Sequence, residues 1–127
     1  MKFSESLKKN SDFQRVYREG KSYANRFLVM YLLENGTGFN RIGISVSKKV
    51  GNSVIRHRVK RLVKEAYRLH EDMLLQGFDI VVIARISAKK ISYWETKSAL
   101  MHLASLQNIL KLNKEMSEIE KNNDFVY

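Results

Sequence analysis

Residues 41–70 read RIGISVSKKVGNSVIRHRVKRLVKEAYRLH, and the change of period within this stretch decides the fold. The first part alternates. Ile42, Ile44 and Val46 point one way, while Gly43, Ser45 and Ser47 point the other, the two-residue period of a strand. After Gly51 the period lengthens. Ile55, Val59, Leu62, Val63, Ala66 and Leu69 fall on one sector of a helix capped by Asn52 or Ser53 and running to about residue 71. On the opposite side lie His57, Lys60, Arg61, Lys64 and Arg68, with Arg56 and Arg58 at the flanks. A strand delivers the chain into an amphipathic, strongly basic helix.

Working outward, Ser11 with Gln14 three residues on reads as a capping box, and Gly20 closes that first helix. Strands are predicted at 27–34 and 41–50, joined by residues 35–38 (Asn-Gly-Thr-Gly) as a hairpin, with a further short strand within 21–26. The apolar run 78–86 predicts a central strand. Ser92 and Glu95 form a second capping box, opening a helix to about residue 112. The chain is expected to form one RNA-binding domain over 1–112, followed by a polar, frayed tail over 113–127. A helix between two strands means either a parallel crossover pair or separate edges, so this order indicates an α+β or α/β-like class.

Composition narrows the function. The 127 residues carry 23 Lys+Arg against 13 Asp+Glu, a net charge of +10, and residues 48–68 hold +7 of it. That stretch contains Lys48, Lys49, Arg56, Arg58, Lys60, Arg61, Lys64 and Arg68 against the single acid Glu65. Ordinary solvated faces mix both signs, as 115–121 does, and like charges at i, i+3 and i+4 cost a few tenths of a kcal/mol per pair. A polyanion repays that cost, and Arg and Lys suit phosphate. A membrane surface is the weaker candidate, because the apolar face is needed for the core. No small-molecule or membrane partner is expected.

The near-absence of side chains at Gly43, Ser45 and Ser47 suggests a second surface, a groove floored by Tyr31 and bordered by Phe13 and Tyr17 of the first helix, suited to stacking unpaired bases. Catalytic signals are missing. The chain has no cysteine, no phosphate loop, no paired carboxylates and three widely spaced histidines, so no catalytic residue and no protein-held metal is expected. A generic RNA-binding module, for instance a ribosome-associated one, remains an alternative. A protein-only nuclease lacks its acidic cluster, and a helix-turn-helix lacks a helix before Asn52.

The segment from Lys48-Lys49-Val50-Gly51-Asn52 through Arg56-His57-Arg58-Val59-Lys60-Arg61 closely resembles the signature of the bacterial ribonuclease P protein subunit, K-x-V-G-N-A-V-x-R-N-R-x-K-R. The likeness extends to Leu7-Lys8-Lys9-Asn10-x-x-Phe13, Val16-Tyr17, Gly20, Ala24-Asn25-Arg26, Gly43-Ile44-Ser45-Val46-Ser47 and the strand at 79–85, covering about residues 7–106. The resemblance implies an α/β sandwich with a central, mostly antiparallel four-stranded sheet, helices packed on it and a left-handed βαβ crossover carrying the basic helix.

It also implies a cytoplasmic ribonucleoprotein endonuclease in which the RNA subunit, with Mg2+, hydrolyses precursor tRNA to mature its 5′ end. Lys48, Lys49, Asn52, Arg56, His57, Arg58, Lys60, Arg61, Lys64 and Arg68 would then bind the RNA subunit, and Phe13, Tyr17, Tyr31, Ser45 and Ser47 the 5′ leader. One departure stands out: His57 replaces the usual Asn between the signature arginines. An imidazole brings a pH-sensitive group to a phosphate-facing surface, so RNA affinity is expected to strengthen on acidification. A His57→Asn variant with the same pH profile would contradict this.

Overall fold

The computed structural model describes residues 1–112. The strands are β1 (Ser4–Ser6), β2 (Lys21–Ala24), β3 (Leu28–Glu34), β4 (Asn40–Ser45) and β5 (Phe78–Ala84). The helices are α1 (Asn10–Glu19), α2 (Ser53–His70) and α3 (Tyr93–Leu106), with short 3-10 turns at Glu71–Met73 and Ile86–Lys90. One sheet of order β1-β4-β5-β3-β2 separates two layers. Residues Leu28, Met30, Ile42, Ile80 and Val82 face α2 and α3 and build the larger core. Val81, Tyr31, Leu33 and Ile83 face α1 through Val16, Phe13 and Tyr17.

The expected hairpin between the second and third predicted strands does not form. β5 lies between β3 and β4, antiparallel to β3 and parallel to β4. The reason is burial: Ile80, Val81 and Val82 are fully buried, so this strand needs cover on both faces and takes the centre of the sheet. Residues 35–38 bend around its end instead, with the Asn35 N–H donating to Gly77 O (2.9 Å) and the Thr37 N–H to Asn35 Oδ1 (2.9 Å). The β4–α2–β5 connection is thus a crossover between adjacent parallel strands.

The sheet has five strands rather than four, and its pairings are half parallel rather than mostly antiparallel. The added strand, β1, is Ser-Glu-Ser, whose polar composition carries no strand signal; it is held by pairing in parallel with β4. The short strand expected within 21–26 is β2.

Helix ends also differ in detail. α1 begins one residue before Ser11, Lys9 at its N-cap makes no side-chain bond, and the Ser11–Gln14 capping box is not used. Gly20 does terminate it, through N–H donation to Val16 O, but with φ −79°. Glycine is required there by space, since a Cβ would stand 2.5 Å from Val16 O and 3.0 Å from Leu32 O. Asn52 caps α2 by accepting the Ile55 N–H (3.0 Å). In its buried stripe Tyr67 takes the place expected for Leu69, which is 49% exposed. The Ser92–Glu95 capping box of α3 is complete. That helix stops at Leu106 rather than near 112, because Asn108 turns left-handed (φ 59°) and the Gln107 amide ties back to Lys21 O and Met30 O. The expected tail at 113–127 lies outside the described residues.

Candidate nucleic-acid interface

Sheet register builds the first surface. Gly43, Val81 and Tyr31 stand in line across β4, β5 and β3, and α1 lies over them. The Tyr17 and Tyr31 rings meet edge to face at 5.2 Å, with Phe13 at 6.4 Å from Tyr17. Burial raises the pKa of the Tyr17 phenol; a bond to the Ser45 side chain offsets part of that rise, and Tyr31 adds to it. Phe13, Tyr17, Tyr31 and Ser45 are thereby brought together, each half-buried.

Two expectations need correction here. The bare face of β4 is not open at Gly43: the Phe13 ring covers it, with Cζ 2.5 Å and Cε1 2.6 Å from where a Cβ would stand. Ser47 lies past the end of β4, on the turn into α2, where its carbonyl accepts the Val50 N–H, so it is not on the sheet face. The strand ends at Ser45 because residues 48–50 already turn toward the helix.

A buried ionic lock fixes α1 at one end of this surface. Asp79, fully buried, accepts from Arg41 Nε (2.8 Å) and Nη2 (2.6 Å), from Arg15 Nη2 (3.2 Å) on α1, and from Asn35 Nδ2 (3.1 Å). Burial alone would raise the Asp79 pKa, but the bonds from Arg41 and Asn35 and the nearby cations more than offset it, leaving it below the ordinary carboxylate value. The same pairing raises the pKa of Arg41. Composition did not single out these residues, although one acid at the start of an apolar strand was the available signal.

The second surface is the outer face of α2. His57, Arg58, Lys60, Arg61, Lys64 and Arg68 are exposed, as are Lys48, Lys49 and Asn52 before them; Arg56 is half-buried. Among the described residues only Arg68 of this group is ion-paired, with Glu65 one turn away (2.5 Å). That pairing lowers the pKa of Glu65 and raises that of Arg68. Arg58 departs from the expected role in part, because its Nη2 donates to Ile91 O (2.6 Å) and ties α2 to the segment before α3. Among the described residues the other cations have no carboxylate partner, an arrangement suited to phosphate.

The two surfaces meet. A cleft of about 400 Å³ beside β4 is lined by Lys60 and Lys64 of α2 together with Leu7, Lys8, Phe13 and Gly43. β1 pairs with β4 only as far as Ile42, and Gly43 and Ile44 beyond it line this cleft. Lys8 was not among the expected site residues. Among the described residues no group of three or more His, Asp or Glu side chains could hold a metal ion, and no helix is long and apolar enough to cross a membrane.

Comparison with known proteins agrees with this architecture. A family model described as Ribonuclease P matches residues 1–107. The ribonuclease P protein component of Lachnoclostridium phytofermentans is 55% identical over 107 residues, spanning 84% of this chain and 92% of that protein. That of Clostridioides difficile is 48% identical over 107 residues, spanning 84% and 94%. Among solved structures, the RNase P protein of Staphylococcus aureus superposes with TM-score 0.77 at 40% identity, over 84% of this chain and 97% of that one. The protein from Thermotoga maritima gives 0.73 at 34%, over 79% and 94%. Shared along nearly its whole described length, this likeness places the chain in the ribonuclease P protein-subunit family.

Proposed function

We propose that the outer face of α2 and the loop before it dock on the catalytic RNA subunit, while the aromatic surface under α1 receives the 5′ leader of precursor tRNA. As the family's members do, the chain serves as the protein subunit of an endoribonuclease that matures tRNA 5′ ends. In this reading the bond-breaking step and its Mg2+ belong to the RNA, the protein supplies binding, and the complex works in the cytoplasm.

One observation carries the reading: a row of cations, all but Arg68 without a carboxylate partner among the described residues, on a helix whose other side is buried in the core, with Lys60 and Lys64 lining a cleft that Phe13 of α1 also lines. Each phosphate neutralised on such a face releases counterions, so affinity is set largely by salt. Aromatic rings that are only half-buried can stack unpaired bases, at about 1–3 kcal/mol each.

Reconstitution tests it. At low Mg2+ the purified chain is expected to restore 5′ cleavage of precursor tRNA by the cognate RNA subunit, and to cut nothing alone. Cleavage by the protein alone, or no effect on the RNA enzyme, would overturn the reading.

A further inference from the structure

The motif Ala24-Asn25-Arg26 takes part in neither surface described above. It forms the β2–β3 turn, and the structure braces it from several sides. Asn25 Oδ1 accepts the N–H groups of Phe27 (3.2 Å) and Leu28 (3.0 Å), while its Nδ2 donates to Ala99 O of α3 (2.9 Å). Arg85 Nη1 donates to Asn25 O (2.7 Å), and the Ser87 hydroxyl donates to Arg26 O. Arg26 is thereby presented outward. Its guanidinium lies over the Phe27 ring, 4.8 Å from the centroid, and has no carboxylate partner among the described residues.

Lining the same groove as Arg26 is Trp94, the chain's one tryptophan, 72% exposed in the first turn of α3. The Lys97 ammonium stands 5.6 Å from its ring and Tyr93 meets it edge-on at 5.3 Å. Arg26 and Trp94 border a groove of about 450 Å³ that His102 and Glu95 also line. Glu95 is already engaged, accepting the Ser92 N–H within the capping box. What remains is an open indole flanked by cations.

We propose that this groove binds one unpaired base of the catalytic RNA subunit, stacked on Trp94, with Arg26 and Lys97 holding the adjoining phosphates. Indole is a strong stacking platform and Arg joins stacking to phosphate binding. The RNA subunit, rather than the tRNA leader, is the occupant because α3 lies with α2 on one side of the sheet and the leader surface under α1 lies on the other. The Arg58–Ile91 bond and the exposed Lys89 and Lys90 beside it carry the basic surface from α2 to α3. The proposal rests on the RNA-docking role assigned to α2.

Because the chain holds a single tryptophan, its fluorescence reports on this groove alone. Titrating the RNA subunit into the full chain is expected to quench Trp94 emission, saturating together with binding measured by filter retention. Trp94→Ala should weaken RNA-subunit binding about tenfold, whereas Trp94→Phe should stay within about twofold, as expected for loss and retention of one stacked base. Tight binding with unchanged emission, or native affinity in Trp94→Ala, would overturn the proposal while leaving α2 docking intact. Quenching by precursor tRNA alone and not by the RNA subunit would overturn the choice of partner. Failure of the native chain to bind the RNA subunit at all would overturn the α2 reading itself and this proposal with it.

Discussion

Gly43 and Phe13 show how one residue shapes the surface under α1. A glycine in a strand normally weakens it, yet here the missing side chain is the seat of an aromatic ring. Gly43→Ala forces that ring out of its place, because a Cβ cannot stand 2.5 Å from a ring carbon, and Leu7 at 3.3 Å limits the room to adjust. The expected cost is about 1–2 kcal/mol in urea denaturation, typical of overpacking. In a Phe13→Ala background the same substitution should cost little; an undiminished cost there would show that the ring is not what the glycine accommodates. Both residues were visible in the sequence as unusual, the glycine for leaving a face bare and the phenylalanine for its place on the helix. Their contact was not, because it depends on how α1 crosses the sheet.

At the scale of elements, α2 was the most legible part, since a cap, an apolar stripe and a charged face are all local signals. The inner stripe still differed at Tyr67, which reaches the Ser4 hydroxyl (2.6 Å) and so binds the N-terminal strand, a partner 63 residues away. Its burial and that bond act in opposite directions on the phenol, with burial prevailing and the pKa raised. The outer face leads to a prediction for the helix as a unit. Arg61→Ala, at an exposed position with no partner among the described residues, should leave stability within about 0.5 kcal/mol of native. It should also lower the salt slope of RNA-subunit binding by about 0.9, one phosphate contact. An unchanged slope, from affinities at several salt concentrations, would remove Arg61 from the interface.

Across the whole molecule the sheet order was the least legible feature, because β5 pairs with both β3 and β4 over long sequence distances while the turn between those two looks local. The Asp79 lock is a consequence of that order. It joins α1, β4, β5 and the loop after β3, elements that meet only once β5 is central. Its carboxylate has a folded-state pKa below the unfolded value of about 3.9, so the stabilisation is complete above that value and is lost as the pH falls through the folded one. Asp79→Asn should therefore cost about 2–3 kcal/mol at pH 7, below the range for a fully buried pair because Arg41 is about a quarter exposed. The gap between native and variant should narrow toward pH 3. A gap independent of pH, in denaturation curves across that range, would mean that the charge is not what holds α1 in place.

The central claim is a division of labour between an RNA-gripping ridge and a strand-accepting cleft on opposite sides of one sheet. It is tested most directly by the affinities of the reconstituted complex for precursor and for mature tRNA when Tyr31 is replaced by alanine. Loss of one stacked base predicts about a tenfold weaker hold on the precursor and an unchanged hold on the mature tRNA, which has no leader. Equal losses for both would contradict the account.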